Sequence, residues 1–120
     1  MNVVALVGNL ASDVDLREVG AASKKVATFL LAVDRPGKTK DTEGQDADFV
    51  RVAAWERLAE VCATYLASGR RVAVDGRLRS HSWEEEGRKR SAVEVVANRI
   101  EFLGGGGTRE EVPFEASIAT

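Results

Sequence analysis

The chain has 120 residues, 44% of them hydrophobic and 30% charged, which is typical of one soluble globular domain and too short for two. Its single cysteine excludes an internal disulfide, and with only one histidine beside it no metal site is predicted. The formal net charge of −2 argues mildly against a nucleic-acid partner. No apolar run is long enough to span a membrane, and the first residues indicate a strand instead of a signal peptide. The single cysteine suggests a reducing, cytosolic setting, so a cytoplasmic protein is predicted.

The first half of the chain contains three segments with the composition of β-strands. They cover approximately residues 2–10, 24–33 and 48–55. Residues 12–15 are expected to bend or end the first of these strands. The polar segment at residues 35–45 contains one proline and two glycines, and it predicts an exposed loop between the second and third strands.

A change of hydrophobic period then marks a single helix. The apolar residues follow the spacing i, i+3, i+4, i+7 and i+8 at positions 58, 61, 62, 65 and 66, and Gly69 is predicted to cap the C-terminus. Cys62 lies on this apolar stripe and is predicted to be a core residue. A fourth strand over residues 71–83 and a fifth over residues 91–103 follow, joined by a charged hairpin tip that contains Gly87.

The order strand, strand, strand, helix, strand, strand is that of the OB-fold. We therefore predict an all-β fold with one helix, an OB-fold five-stranded Greek-key barrel whose long fourth and fifth strands project as a β-ribbon. Residues 1–104 are predicted to form this domain, and residues 105–120 a short flexible acidic C-terminal tail. Several small α+β folds have the same order of elements, so the order alone leaves those alternatives open.

The large aromatic residues share strand faces with cations. In the third strand, a two-residue period puts Phe49, Arg51 and Trp55 on one face. In the fourth strand, the same period puts Arg77, Arg79, His81 and Trp83 on one face. A half-buried strand usually hides its aromatics and exposes its charges. Aromatic planes for bases beside cations for phosphates predict a surface for single-stranded nucleic acid.

These residues also have purely structural interpretations. Phe49 and Trp55 could pack at the barrel mouth, and Trp83 could contact another subunit or cap the ribbon. Arg77 and Arg79 could be solvated surface. Residues 70–90 contain seven basic and four acidic side chains, an excess that could attract phosphates, but on charge alone a solvated hairpin is the favoured interpretation.

Five segments, taken in order, resemble the bacterial single-stranded DNA-binding protein family over residues 2–104. They are residues 4–10 (VALVGNL), 26–33 (VATFLLAV), 58–66 (LAEVCATYL), 75–79 (DGRLR) and 94–97 (EVVA). The resemblance implies an OB-fold that assembles as a homotetramer and binds single-stranded DNA in replication, recombination and repair. It also implies a protein without cofactor or catalytic activity, located in the cytoplasm and associated with the nucleoid.

The resemblance implies DNA-binding roles for individual residues. Arg77 is a further candidate, which comes from the strand pattern and not from the resemblance. The aromatic stacking positions of the family match Phe49, Trp55 and Trp83. Its basic positions match Arg17, Arg51, Arg57, Arg79 and Arg90, and His81 stands where the family often has a basic residue. Many members place a tryptophan near position 37, where this chain has Gly37, so we expect fewer stacked bases per subunit.

The C-terminal segment resembles the acidic tip through which the family docks onto other genome-maintenance proteins. The matching residues are Glu110, Glu111, Pro113 and Phe114. In the family this tip ends the chain, whereas here residues 115–120 follow it, so Phe114 lacks the terminal carboxylate. Docking through these residues is therefore the weaker part of the resemblance.

We predict from the sequence a protein that binds and protects single-stranded DNA with little sequence preference. The alternative is an interaction module of the same fold, related to primosome components, whose main partner is protein or RNA. An enzyme is not predicted, because His81 and Cys62 are far apart in sequence and no glycine-rich phosphate loop is present.

Overall fold

The computed structural model of the chain describes residues 1–35 and 47–104. These contain six strands and one helix, α1, over Glu56–Tyr65. The strands are β1 (Val4–Leu10), β2 (Asp15–Val19), β3 (Lys24–Asp34), β4 (Ala47–Trp55), β5 (Arg71–Glu85) and β6 (Arg88–Gly104). The predicted acidic tail, and the predicted loop except for Arg35, lie outside the described residues.

Five of the strands form a closed ring. The sheet runs in the order β1-β5-β6-β4-β3, and β1 pairs with β3 to complete it. All pairings in the ring are antiparallel except that of β4 with β6, where Val52 lies opposite Val95 and Ala53 opposite Val96. A five-stranded closed sheet with a helix after its third ring strand is the OB-fold architecture, so the predicted fold class is confirmed.

Strand β2 is an addition to the prediction, which ended or bent the first strand at residues 12–15. It pairs only with β3 and lies at the edge of the sheet, outside the ring. All five of its residues are exposed. An exposed edge strand buries neither face, so it leaves no alternation of apolar and polar residues from which to predict it.

The barrel interior is filled by aliphatic side chains from the ring strands. Leu31, Val52 and Ile100 are fully buried there, and α1 covers the interior with Leu58 and Cys62. The predicted core position of Cys62 is confirmed, and its burial raises the pKa of its thiol to about 12.

The helix ends earlier than predicted. It stops at Tyr65 and Leu66 is its C-cap, with the Leu66 N–H donating to the carbonyl of Cys62. Gly69, predicted as the cap, instead lies in the following turn at φ 94° and donates its N–H to the carbonyl of Leu10. The left-handed backbone of Gly69 therefore ties the chain after the helix to the end of β1.

Strands β5 and β6 form the predicted ribbon, which is longer than predicted at both strands. Every residue from His81 to Ser91 is exposed, so this part extends beyond the barrel. Glu86 and Gly87 form a two-residue turn with φ values of 51° and 77°, as a type I′ hairpin requires. Near the barrel, a Cβ at Gly76 would overlap the backbone carbonyl of Val96, so this glycine permits close strand packing.

Candidate nucleic-acid interface

The outer face of β4 carries the first predicted group of site residues. Val52 and Ala54 are buried in the core, whereas Phe49 and Arg51 are exposed on the other face. Arg51 pairs through its backbone with Leu30 of β3, and its guanidinium forms no hydrogen bond or ion pair with the residues that the structure describes. Phe49 is 49% exposed, which excludes the barrel-mouth core position considered from the sequence.

Trp55 stands at the junction between β4 and α1. It is the N-cap of the helix, and no side chain forms a capping hydrogen bond there. The next residue, Glu56, adopts a left-handed φ of 56°, which is strained for a residue with a side chain. A tryptophan therefore occupies a position where Ser, Thr, Asp or Asn usually stabilises a helix, which indicates another role for it.

The parallel pairing of β4 and β6 joins the two predicted strand faces into one. Ala53 lies opposite Val96, and Val96 lies opposite Arg77 on β5, so all three side chains are on the same side of the sheet. An open groove of about 490 Å³ runs here, lined by Lys24, Trp55, Arg77, Arg79, Val96, Ala97 and Asn98. Trp55 from the first predicted face and Arg77 and Arg79 from the second thus line one groove.

Arg79 covers one side of the Trp55 ring. The centre of its guanidinium lies 5.6 Å from the ring centroid, within the range of a cation–π contact. The indole N–H of Trp55 and the Nε–H of Arg79 are both buried, and neither has a hydrogen-bond partner among the described residues. Two residues that line the groove thus each carry a buried donor without a partner in the described part of the structure.

Glu94 is a member of this surface that we did not predict as a site residue. It lies directly opposite Arg79 in the β5–β6 pairing, and its side chain is only 5% exposed. One carboxylate oxygen is 3.5 Å from Nη2 of Arg79, and the other is 3.2 Å from Nδ1 of His81. The sequence signal was present as one charged residue in the apolar run from Val93 to Ala97.

Trp83 and His81 lie together on the ribbon. Their ring centroids are 5.2 Å apart at an interplanar angle of 31°. Trp83 is 40% exposed and donates its indole N–H to Glu85 at 3.2 Å. Arg90 lies directly opposite Trp83 on β6, so this predicted cation shares the face of the ring. Arg77, lower on the same strand, donates to Asn98 at 3.3 Å.

Two predicted cations lie apart from the groove. Arg17 is on the edge strand β2, two strands away from Trp55, and forms an ion pair with Asp15 at 2.9 Å. Arg57 is in the first turn of α1 and lines a different groove, which also contains Lys25 and Tyr65. Arg17 lies opposite Val26, which lies opposite Trp55, so Arg17 is on the same side of the sheet as Trp55 with β3 between them. The predicted docking residues Glu110, Glu111, Pro113 and Phe114 lie outside the described residues.

Nothing in the described part of the chain assembles a metal site, because no three His, Cys, Asp or Glu residues cluster there. Its one helix is too short to cross a membrane.

The surface around Trp55 offers aromatic planes, guanidinium groups and hydrogen-bond donors. This combination suits binding to bases and phosphates.

Residues 1–103 match the model of the Single-strand binding protein family. The chain belongs to this family. The similar proteins include a "Single-stranded DNA-binding protein" of Treponema pallidum, 38% identical over 114 residues that make up 92% of this chain and 64% of that protein. The family resemblance drawn from the five sequence segments is thereby confirmed.

Two further relatives cover more of their own length. The "Single-stranded DNA-binding protein" of Thermotoga maritima is 41% identical over 104 residues, 85% of this chain and 73% of that protein. The "Single-stranded DNA-binding protein 1" of Chlorobaculum tepidum is 36% identical over 117 residues, 92% of this chain and 72% of that protein. The chain thus spans under two thirds of the Treponema relative and just over seven tenths of these two.

Proposed function

We propose that this member of the Single-strand binding protein family binds single-stranded DNA with little sequence preference and protects it during replication, recombination and repair. The observation that carries the proposal is the continuous outer surface across β4, β6 and β5. On it, exposed or half-buried aromatic side chains lie beside guanidinium groups instead of packing into the core. Relatives that cover most of the chain bear names that state single-stranded DNA binding.

The proposed roles divide the surface by chemistry. Phe49, Trp55 and Trp83 stack with bases, each contact contributing roughly 1–3 kcal/mol regardless of base identity. The cations neutralise phosphates, and those on the central surface are Arg51, Arg77, Arg79 and Arg90, with His81 beside them. Arg17 and Arg57 are proposed to contact DNA that continues past the central surface. No step of this role requires catalysis, and we propose none.

The proposal includes assembly and partners. One small barrel covers few nucleotides, so protection of a long strand requires several binding surfaces, and we propose a homotetramer. Residues 1–104 act as the DNA-binding domain and residues 105–120 as an acidic tail. Through Glu110, Glu111, Pro113 and Phe114 that tail is proposed to contact replication and repair proteins. The proposed location is the cytoplasm, in association with the nucleoid.

A binding titration tests the function directly. Poly(dT) added at low salt should quench the fluorescence of Trp55 and Trp83, the only two tryptophans, and oligomers of dA and dC should bind within about tenfold of dT. Native mass measurement of the complex should show four chains. Absence of quenching at low salt would contradict the stacking model.

A comparison of nucleic acids tests the alternative. If the protein is an interaction module of the primosome type, oligomers of dT and rU of equal length should bind equally weakly. A clear preference for dT is expected for a DNA-protecting protein. The names of the similar proteins favour the DNA role, so the interaction module is not proposed here.

A further inference from the structure

A buried carboxylate lies within the surface proposed to meet phosphates. The side chain of Glu94 is 5% exposed, and it lies between two groups of the proposed DNA contacts. By charge alone, a carboxylate at this place lowers affinity for a polyanion, because it offsets one of the nearby cations. Its burial also carries a desolvation cost. Its presence on this face therefore calls for a role that a neutral residue would not perform.

Each oxygen of Glu94 contacts a different neighbour. One contacts Arg79, whose guanidinium lies over the Trp55 ring, and the other contacts Nδ1 of His81, whose ring lies against Trp83. The connected side chains thus run from one tryptophan to the other through a single carboxylate. No other acidic residue among those described contacts Arg79 or His81.

We propose that Glu94 is a positioning residue for single-stranded DNA binding, which holds Arg79 over Trp55 and His81 against Trp83 and so orders both stacking sites before DNA arrives. This inference rests on the proposed function. Arg79 and His81 are each 41% exposed at the side chain, so without a fixed partner both could adopt other rotamers. Ordering such side chains during binding would cost affinity.

The contact with Glu94 leaves the guanidinium of Arg79 able to bind a phosphate. A guanidinium carries five N–H donors, and the contact with Glu94 involves only Nη2 of Arg79. The Nε–H is buried, which leaves the donors on Nη1 to bind a phosphate while the carboxylate fixes the plane of the group. Glu94 therefore weakens the local positive charge but fixes its position, and we propose that the second effect is the larger.

Substitution of Glu94 by glutamine separates the two effects by sign. Glu94→Gln keeps the size of the side chain and removes its negative charge. If only charge matters, dT oligomers should bind this variant more tightly than wild type. If Glu94 positions its neighbours, binding should weaken by about fivefold, the cost of ordering one or two side chains. Equal or tighter binding by a variant with wild-type thermal unfolding would overturn the proposal.

Glu84→Gln is the matched control for the loss of one charge. Glu84 is exposed on the same ribbon, and in the strand alternation it lies on the face opposite Trp83. The Glu84→Gln variant should bind dT oligomers as tightly as wild type or slightly more tightly. Should wild type itself fail to bind dT, the proposed function fails. Wild-type binding with no weakening in Glu94→Gln refutes only the role of Glu94.

A comparison in a double-mutant background distinguishes positioning from a general structural role. In a background of Arg79→Ala and His81→Ala, Glu94 has nothing left to position, so Glu94→Gln should now tighten binding by removing a negative charge. A purely structural role predicts weakening in both backgrounds, and that result would overturn the proposal.

Glu94→Asp keeps the inference testable if Glu94→Gln does not fold. It retains the charge but withdraws the oxygens by one methylene, so contact with Arg79 and His81 is lost or lengthened. Weaker dT binding than wild type is expected. Wild-type affinity in Glu94→Asp would contradict a positioning role, because charge without geometry would then suffice.

Discussion

The two tryptophans of the chain have different surroundings although both lie on the proposed binding surface. Trp55 is half-buried at the end of β4, with Arg79 over its ring, and contributes to packing at the strand–helix junction. Trp83 stands on the ribbon, where every residue from His81 to Ser91 is exposed. We therefore expect removal of Trp55 to affect both folding and binding, and removal of Trp83 to affect binding alone.

Alanine substitutions should separate these contributions. Trp83→Ala should weaken binding to dT oligomers by about tenfold, the loss of one stacking contact, and change the free energy of unfolding by less than about 0.5 kcal/mol. Trp55→Ala should weaken binding at least as much and also reduce the free energy of unfolding by about 2 kcal/mol. Fluorescence titration and urea unfolding measure the two quantities.

Val93→Ala is the control for this comparison. Val93 is 61% exposed on β6 and lies opposite Ser80, on the ribbon face away from Trp83. The Val93→Ala variant should bind dT oligomers as tightly as wild type. Wild-type affinity in Trp83→Ala would exclude Trp83 as a stacking site and favour its alternative role as a contact between subunits.

At the scale of elements, the close contact of β5 with β6 determines where the ribbon leaves the barrel. The register shifts between Asp75 and Gly76, and beyond this point Arg77 and Arg79 lie opposite Val96 and Glu94. Such an irregularity bends a strand and redirects its side chains. We therefore expect the orientation of Arg77 and Arg79 to depend on Gly76, which does not line the groove.

Gly76→Ala should test this dependence. The added Cβ would overlap the backbone carbonyl of Val96, so the strands must separate. We expect the free energy of unfolding to fall by roughly 1–3 kcal/mol, as for other overpacked sites, and dT binding to weaken as well. Ser80→Ala, further along β5, should change neither quantity appreciably. Unchanged unfolding in Gly76→Ala would show that the strands can separate here without cost.

At the scale of the whole molecule, the net charge does not describe the proposed binding surface, because the basic and acidic residues are distributed unevenly. The chain carries 17 basic and 19 acidic residues, yet Lys24, Arg77 and Arg79 line one groove, Arg51 is exposed on β4 and Arg90 lies opposite Trp83 on the ribbon. A bound strand responds to this local potential, since more distant charges are screened at physiological salt. Binding should therefore depend on salt as expected for a basic surface, although the protein is acidic overall.

The salt dependence of binding can be predicted from the number of these cations. Five phosphate contacts on a single strand give a slope of about −3.5 for the logarithm of the association constant against the logarithm of salt concentration. Arg51→Ala should reduce the steepness of the slope by about 0.7, and Arg99→Ala, in an ion pair with Glu101, should leave it unchanged. A slope near zero for wild type would contradict phosphate neutralisation by this surface.

Several features followed from the sequence alone because they depend on local periodicity. The two-residue period assigned Phe49 and Trp55 to the face opposite Val52, the change to a helical period located α1, and Gly87 marked the hairpin turn. The order of elements led to the OB-fold, and five segments led to the family. The periodicity and turn signals each lie within a few residues of chain, and the order of elements and the five segments are read along the chain, so none of them requires tertiary structure.

Other features were decided only by the tertiary structure, because they depend on register between distant strands. The sequence placed Arg79 and Trp55 on separate strands but could not bring Arg79 over the Trp55 ring. Nor could it place Glu94 between Arg79 and His81, since a one-residue change of register would move that carboxylate to the other face. The sequence thus determined which residues share a strand face, and the closure of the barrel decided which faces form one surface.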